Sequence, residues 1–286
     1  MAFDEFTLSN GLTVVGERMA GCRSLSVGLW VQSGSQYETR EENGVSHFLE
    51  HMLFKGTQRR TARQIAEEMD AVGGQLNAFT AKDCTCFYAK VVDESAPLAI
   101  DMLSDLTLFS TLDPAEMEKE KGVVLEEIAM VEDEPEDLVH ELVMLAQFGD
   151  QPLARNILGT AENVRAFTRD FVSGYKERMY RPECGVLALS GGYDPDRIRA
   201  LAEAHFGQWK PGGGKKPEFR LEDCAPRTVR REKDIEQLHI CLAYPGVPQG
   251  GEMVYPMSIL SSILGGAMSS RLFQKIREEK GMAYSV

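Results

Sequence analysis

His47-Phe48-Leu49-Glu50-His51 is the stretch on which the reading of this sequence turns. A helix advances about 100° per residue, so His47 and His51 lie about 40° apart on one face, with Glu50 about 60° to one side of His47. Two imidazoles one turn apart can bind a single Zn²⁺ at about 2.0–2.1 Å. A carboxylate beside them can take a proton from water that the metal acidifies. H-x-x-E-H is one of the spacings used by catalytic zinc sites. The chain has only five histidines, so two of them four apart around a glutamate form its sharpest signal.

Two histidines leave a catalytic zinc one protein ligand short. His140, His205, His239 or an acid could complete the set. Asp113-Pro114 is a strong helix start, an N-cap acid followed by proline at the first helical position. The helix it opens, expected to run to about Glu132, carries Glu120 and Glu127 seven residues apart, hence about 20° apart on one face, whereas Glu126 points about 100° away from Glu127. Spacing alone does not choose among the six glutamates between Glu116 and Glu132.

The flanking sequence alternates sheet and helix signals. Phe6 and Leu8 lead into Asn10-Gly11, then Leu12 and Val14, which reads as a hairpin with a two-residue turn. Leu25, Val27, Leu29 and Val31 alternate with smaller or polar residues in a strand with one buried face. A helix is expected near Gly44 to Phe54, then another from Thr61 to Val72, opened by a Thr61/Gln64 capping box and stopped at Gly73-Gly74. Gln75 to Val92 reads as two strands with a bend near Lys82-Asp83. Further helices are expected at Pro97–Phe109, Glu136–Phe148, Arg169–Met179 and from Asp194-Pro195 to Gly207, with a strand at Gly185–Ser190.

The run from Lys210 to Pro217 has the composition of a flexible linker. It divides the chain into an expected N-terminal domain at 1–209, a linker at 210–218 and a second domain at 219–286. After the linker, a strand at Leu238–Tyr244, helices near Met257–Leu264 and Ser270–Lys280, and a strand from Met282 repeat the order seen from Leu25 to Asn77. The second domain is therefore expected to be the start of a second copy, cut short.

Composition narrows the classes. At about 150 residues per domain, 286 residues make roughly two. Hydrophobic residues at 43% and charged residues at 26% exclude a disordered chain. With 31 Lys and Arg against 44 Asp and Glu, the net charge of −13 argues against nucleic-acid binding, which needs a basic face. No run approaches the about 20 apolar residues of a membrane span. Asp4 and Glu5 stand where an export signal carries positive charge. Six cysteines without C-x-x-C spacing read as reduced thiols. The expected location is the cytoplasm; a removed signal would place the protein in a periplasm or organelle instead.

Three longer segments carry a family resemblance: Asn43-Gly-Val-Ser-His-Phe-Leu-Glu-His-Met-Leu-Phe-Lys-Gly-Thr57, Gly73-Gly-Gln-Leu-Asn-Ala-Phe-Thr80 and Gly122-Val-Val-Leu-Glu-Glu-Ile128. Together they resemble the pitrilysin family of zinc metallopeptidases, which includes insulin-degrading enzyme and the mitochondrial processing peptidase. The resemblance spans nearly the whole chain. It implies an α+β fold, with mixed, largely antiparallel sheets and helices packed on one side. It implies one Zn²⁺ per chain on His47, His51 and Glu127, Glu50 as general base and Glu120 as the acid supporting the site. Asn77, Ala78 and Phe79 match the edge strand on which the family docks a peptide by β-augmentation. Arg277 and Tyr284, seven apart, match a pair that steadies the oxyanion.

The activity implied is zinc-dependent endopeptidase action on peptides or unfolded polypeptides. A homodimer or second family subunit would complete the chamber. Two rival readings stand beside it: a non-catalytic peptide-binding or assembly subunit of the same family, and a zinc hydrolase acting on non-peptide substrates.

Overall fold

The computed structural model describes residues 2–213 and 216–286. Of the expected linker at 210–218, Gly214 and Lys215 lie outside the described residues. The chain divides into two compact units, Met1–Cys241 and Leu242–Val286.

The first unit is built on one six-stranded sheet. Its strands are β1 (Ala2–Thr7), β2 (Thr13–Arg18), β3 (Ser24–Val31), β4 (Gln75–Thr80), β5 (Thr85–Val92) and β6 (Gly185–Gly191), in the order β1-β2-β6-β3-β5-β4. Every pairing is antiparallel except β2 with β6. The fold is thus α+β with a mixed, largely antiparallel sheet. The β1–β2 connection differs from the expected two-residue turn. Leu8 N donates to Leu12 O at 2.9 Å and Gly11 N to Leu8 O at 3.0 Å, closing a three-residue loop with Gly11 at φ +95°. A three-residue loop puts its left-handed residue last, where Gly11 stands, and lets Leu8 and Leu12 turn into the core.

Register explains which face the helices take. Leu25, Val27 and Leu29 of β3 pair with Val91, Ala89 and Phe87 of β5, so these six share a face and are buried. Against that face pack α1 (Val45–Leu53) and α3 (Ala96–Phe109). Phe48, Leu49, Met52, Ile100, Leu103 and Leu106 fill the core between them and the sheet. The opposite face carries exposed Trp30, Phe79 and Tyr88. Around α1 and α3 lie α2 (Ala62–Ala71), α4 (Pro114–Asp133), α5 (Pro135–Phe148), α6 (Ala161–Ala166), α7 (Arg169–Met179) and α8 (Pro195–Phe206). The Thr61/Gln64 capping box of α2 is present, with both reciprocal bonds made. Asp113 caps α4 through Ala115 N and Glu116 N.

Beyond α8 the first unit has no regular structure among its described residues, and side chains tie the chain down. Gln32 Nε2 donates to Pro217 O at 2.9 Å, and Gln151 exchanges two hydrogen bonds with the backbone of Glu222. Leu238–Tyr244 is not the expected strand: it has no ladder partner among the described residues, and Leu238, Ile240, Leu242 and Tyr244 are exposed. Alternation signals a strand only where a second strand supplies the hydrogen bonds.

The second unit contains α9 (Val254–Leu264) and a helical stretch after Ser270 that is wound as π turns over Phe273–Glu278. The strand expected from Met282 is irregular chain, again without a pairing partner among the described residues.

Candidate metal centre

The helix that carries the H-x-x-E-H motif begins under constraint. Gly44, its N-cap, has φ +99°, and a Cβ there would stand 2.6 Å from Leu158 O. Glycine is therefore required twice over, by conformation and by space. Lacking a side-chain cap of its own, α1 takes one from Glu38, which is 3% exposed. Glu38 Oε2 accepts from Gly44 N at 2.8 Å and Oε1 from Ser46 N at 2.9 Å. A carboxylate here satisfies orphan N–H groups and faces the positive end of the helix dipole.

One turn further on, His47 Nε2 and His51 Nε2 stand 3.3 Å apart. Glu127 Oε2, reaching across from α4, lies 3.7 Å from the first and 3.6 Å from the second. Atoms held about 2.0–2.2 Å from a tetrahedral centre stand about 3.3–3.6 Å from one another. The triangle therefore has the dimensions of three corners of a zinc site. Among the described residues this is the one such cluster of metal-binding side chains. Glu126, one residue away, is exposed and outside the cluster, and His140, His205 and His239 do not belong to it. His205 instead contacts Asp101 at 3.1 Å.

The electrostatics fit the ligand role. Burial, reinforced by neighbouring His51, lowers the pKa of His47 to about 4, so its imidazole is neutral and has a lone pair to give at neutral pH. His47 Nδ1 is buried without a hydrogen-bond partner. His51 Nδ1 lies 2.7 Å from Glu120 Oε1, and Lys55 Nζ pairs with Glu120 Oε2 at 2.5 Å. Burial works against the charge of Glu120, but Lys55 and His51 hold its carboxyl below the usual range. An ionised Glu120 fixes the proton of His51 on Nδ1 and leaves Nε2 bare, facing the cluster.

Glu50 is half-buried beside this cluster. Burial pushes its carboxyl above the usual range, helped by the charge of Glu127 and opposed by a hydrogen bond from Thr80 and by His51. Thr80 Oγ1 donates to Glu50 Oε2 at 2.6 Å.

Asn77, Ala78 and Phe79 lie in β4, an edge strand of the sheet, whose other edge pairs with β5. Asn77 Oδ1 accepts from Ala78 N at 2.8 Å, and Phe79 meets Trp30 edge-on with ring centroids 5.5 Å apart. Arg277 and Tyr284 belong to the second unit and meet there. The Arg277 guanidinium lies 4.6 Å from the Tyr284 ring centroid, and Nη1 donates to Tyr284 O at 2.7 Å.

Three residues were not read from the sequence: Glu38, Lys55 and Thr80. The last two sit inside the quoted segments ending Lys-Gly-Thr57 and Asn-Ala-Phe-Thr80, so a signal was there. Glu38, with no local pattern linking it to α1, offered none.

Residues 13–161 match the description Insulinase (Peptidase family M16), and residues 166–286 match Peptidase M16 inactive domain. The chain is 46% identical over 285 residues to an uncharacterized zinc protease of Bacillus subtilis (strain 168), covering 98% of this chain and 68% of that protein. It is 42% identical over 291 residues to an uncharacterized zinc protease of Streptomyces coelicolor, covering 98% of this chain and 62% of that protein. The chain thus spans about two thirds of the length of these relatives. Among solved structures, a protease from Helicobacter pylori shares the fold with a TM-score of 0.87, over 99% of this chain and 70% of that one, at 20% identity. Motifs, family matches and relatives agree, and the chain belongs to the insulinase family of peptidases, M16.

Proposed function

We propose that the protein is a zinc-dependent endopeptidase that binds one Zn²⁺ per chain on His47, His51 and Glu127. The observation that carries this reading is the triangle of Nε2, Nε2 and Oε2 at 3.3–3.7 Å with a half-buried carboxylate, Glu50, next to it. When bound, zinc supplies Lewis-acid polarisation of a carbonyl and of water. Glu50 takes a proton from the attacking water and delivers it to the leaving nitrogen, a task that suits a carboxyl whose pKa burial has raised. Glu120 and Lys55 keep His51 in the tautomer that ligates.

Peptides or unfolded polypeptides would bind extended along the edge of β4, at Asn77, Ala78 and Phe79, by strand addition. Arg277 and Tyr284 offer the donors that a developing oxyanion requires. A homodimer or a second family subunit would complete the peptide chamber. The six unpaired thiols support a cytoplasmic location. No helix among the described residues is long and apolar enough to cross a membrane.

The test is Glu50→Gln, assayed on an unstructured fluorogenic peptide with zinc content measured alongside. Loss of hydrolysis with zinc retained is expected. Full activity with zinc bound would show that Glu50 is not the base. Turnover of small esters or amides but not of peptides would favour a different hydrolase.

A further inference from the structure

We infer that Thr80 is a positioning residue for Glu50, pinning one carboxylate oxygen and linking the edge strand β4 to the site of proton transfer. The inference rests on the reading of Glu50 as base. Thr80 is the last residue of β4. Alternation puts it on the α1 side of the sheet with Leu76 and Ala78, while Gln75, Asn77 and Phe79 point the other way. It is thus the residue through which β4 reaches Glu50.

The protons can be counted. A threonine hydroxyl has one hydrogen to give. Thr85, directly opposite Thr80 in the ladder, donates its own to Ser33 O at 2.9 Å. The two threonine hydroxyls stand 3.4 Å apart; with its hydrogen committed elsewhere Thr85 can only accept from Thr80, and at that distance it is a far weaker acceptor than a carboxylate. It goes to Glu50 Oε2 at 2.6 Å, the length of a charge-assisted O–H···O⁻ bond. Oε2 is thereby held, and Oε1 is the oxygen left to receive and return a proton. A peptide added along β4 would stiffen the strand that holds this bond, so docking and the orientation of the base share one element.

The experiment compares Thr80→Val, which keeps the shape and strand preference but removes the donor, with Thr80→Ser, which restores it. Both are made in the full protein and assayed with zinc content measured. For Thr80→Val, kcat is expected to fall about tenfold or more with KM within about twofold; Thr80→Ser should return kcat to within about threefold of the parent. A crystal structure of Thr80→Val gives a readout independent of turnover: the Glu50 carboxylate should leave its position or divide between rotamers. An unmoved carboxylate, an unchanged kcat, or a loss that serine does not restore overturns the inference. Glu50→Gln run in parallel separates the two failures. If that variant is inactive while Thr80→Val is as active as the parent, the base stands and the role of Thr80 falls. If Glu50→Gln is fully active, the underlying reading falls.

Discussion

Glu120 Oε1 stands 2.7 Å from His51 Nδ1, while the other ring nitrogen, Nε2, faces His47 and Glu127, and Glu120 is 4% exposed. A buried acid in this position sets the tautomer and angle of a metal-binding ring without touching the metal. Glu120→Gln is therefore expected to weaken zinc binding about 10–100-fold, as loss of such outer partners does elsewhere. Competition with a chromophoric chelator measures this directly. An unchanged affinity would reduce Glu120 to a partner of Lys55 alone.

A second prediction concerns stability at the loop that follows α1. Asp105 is fully buried and accepts from Thr57 Oγ1, Arg59 Nε and Arg60 Nη1, each at 2.8 Å. Asp105→Ala leaves the Arg60 guanidinium, itself mostly buried, without its inner partner. The expected cost is about 3–5 kcal/mol in urea unfolding, the range for breaking a buried pair from one side. A loss under 1 kcal/mol, judged against surface substitutions of about that size, would mean that Asp101 and Glu68 take over the guanidinium.

The third prediction is a pH dependence. Lys176, on α7 beside Tyr175, is largely buried, and burial lowers its pKa from 10.5 to about 8. Between these values the unfolded chain holds a proton that the folded chain has released, so stability rises with pH across that window. Below pH 8 both states are charged and the folded state bears the full cost of the buried ammonium. Lys176→Met should raise stability at pH 7 and abolish the rise between pH 8 and pH 10.5 relative to the parent. Unfolding curves at pH 7.5, 8.5 and 9.5 for both proteins test it, and parallel pH profiles would refute it.

What the sequence revealed follows the range of the interactions concerned. The Thr61/Gln64 box, the Asp113-Pro114 start and the two histidines one turn apart are signals contained within a few residues, and each is present as read. Glu127 could not be separated from Glu126 by spacing alone, because the choice depends on how α4 is rotated against α1. The pairing of β2 with β6 was invisible: the two strands are far apart in sequence, and no local propensity records which neighbour a strand will take. Leu238–Tyr244 shows the converse, a strand pattern that has no ladder partner among the described residues. Glu38 caps a helix from outside it, a contact that only the folded chain brings about.

The insertion of β6 between β2 and β3 also has a consequence for biosynthesis. The N-terminal hairpin can dock on the rest of the sheet only through β6, so the sheet stays open until residue 191 has left the ribosome. His47, His51 and Glu127 all emerge earlier, and so do β3, β4 and β5, the strands on the α1 side of the sheet. Closing a sheet through such distant contacts is slow compared with forming a helix. Strand insertion is therefore the late, long-range step of this unit, completed after the helices that carry these three side chains have been made.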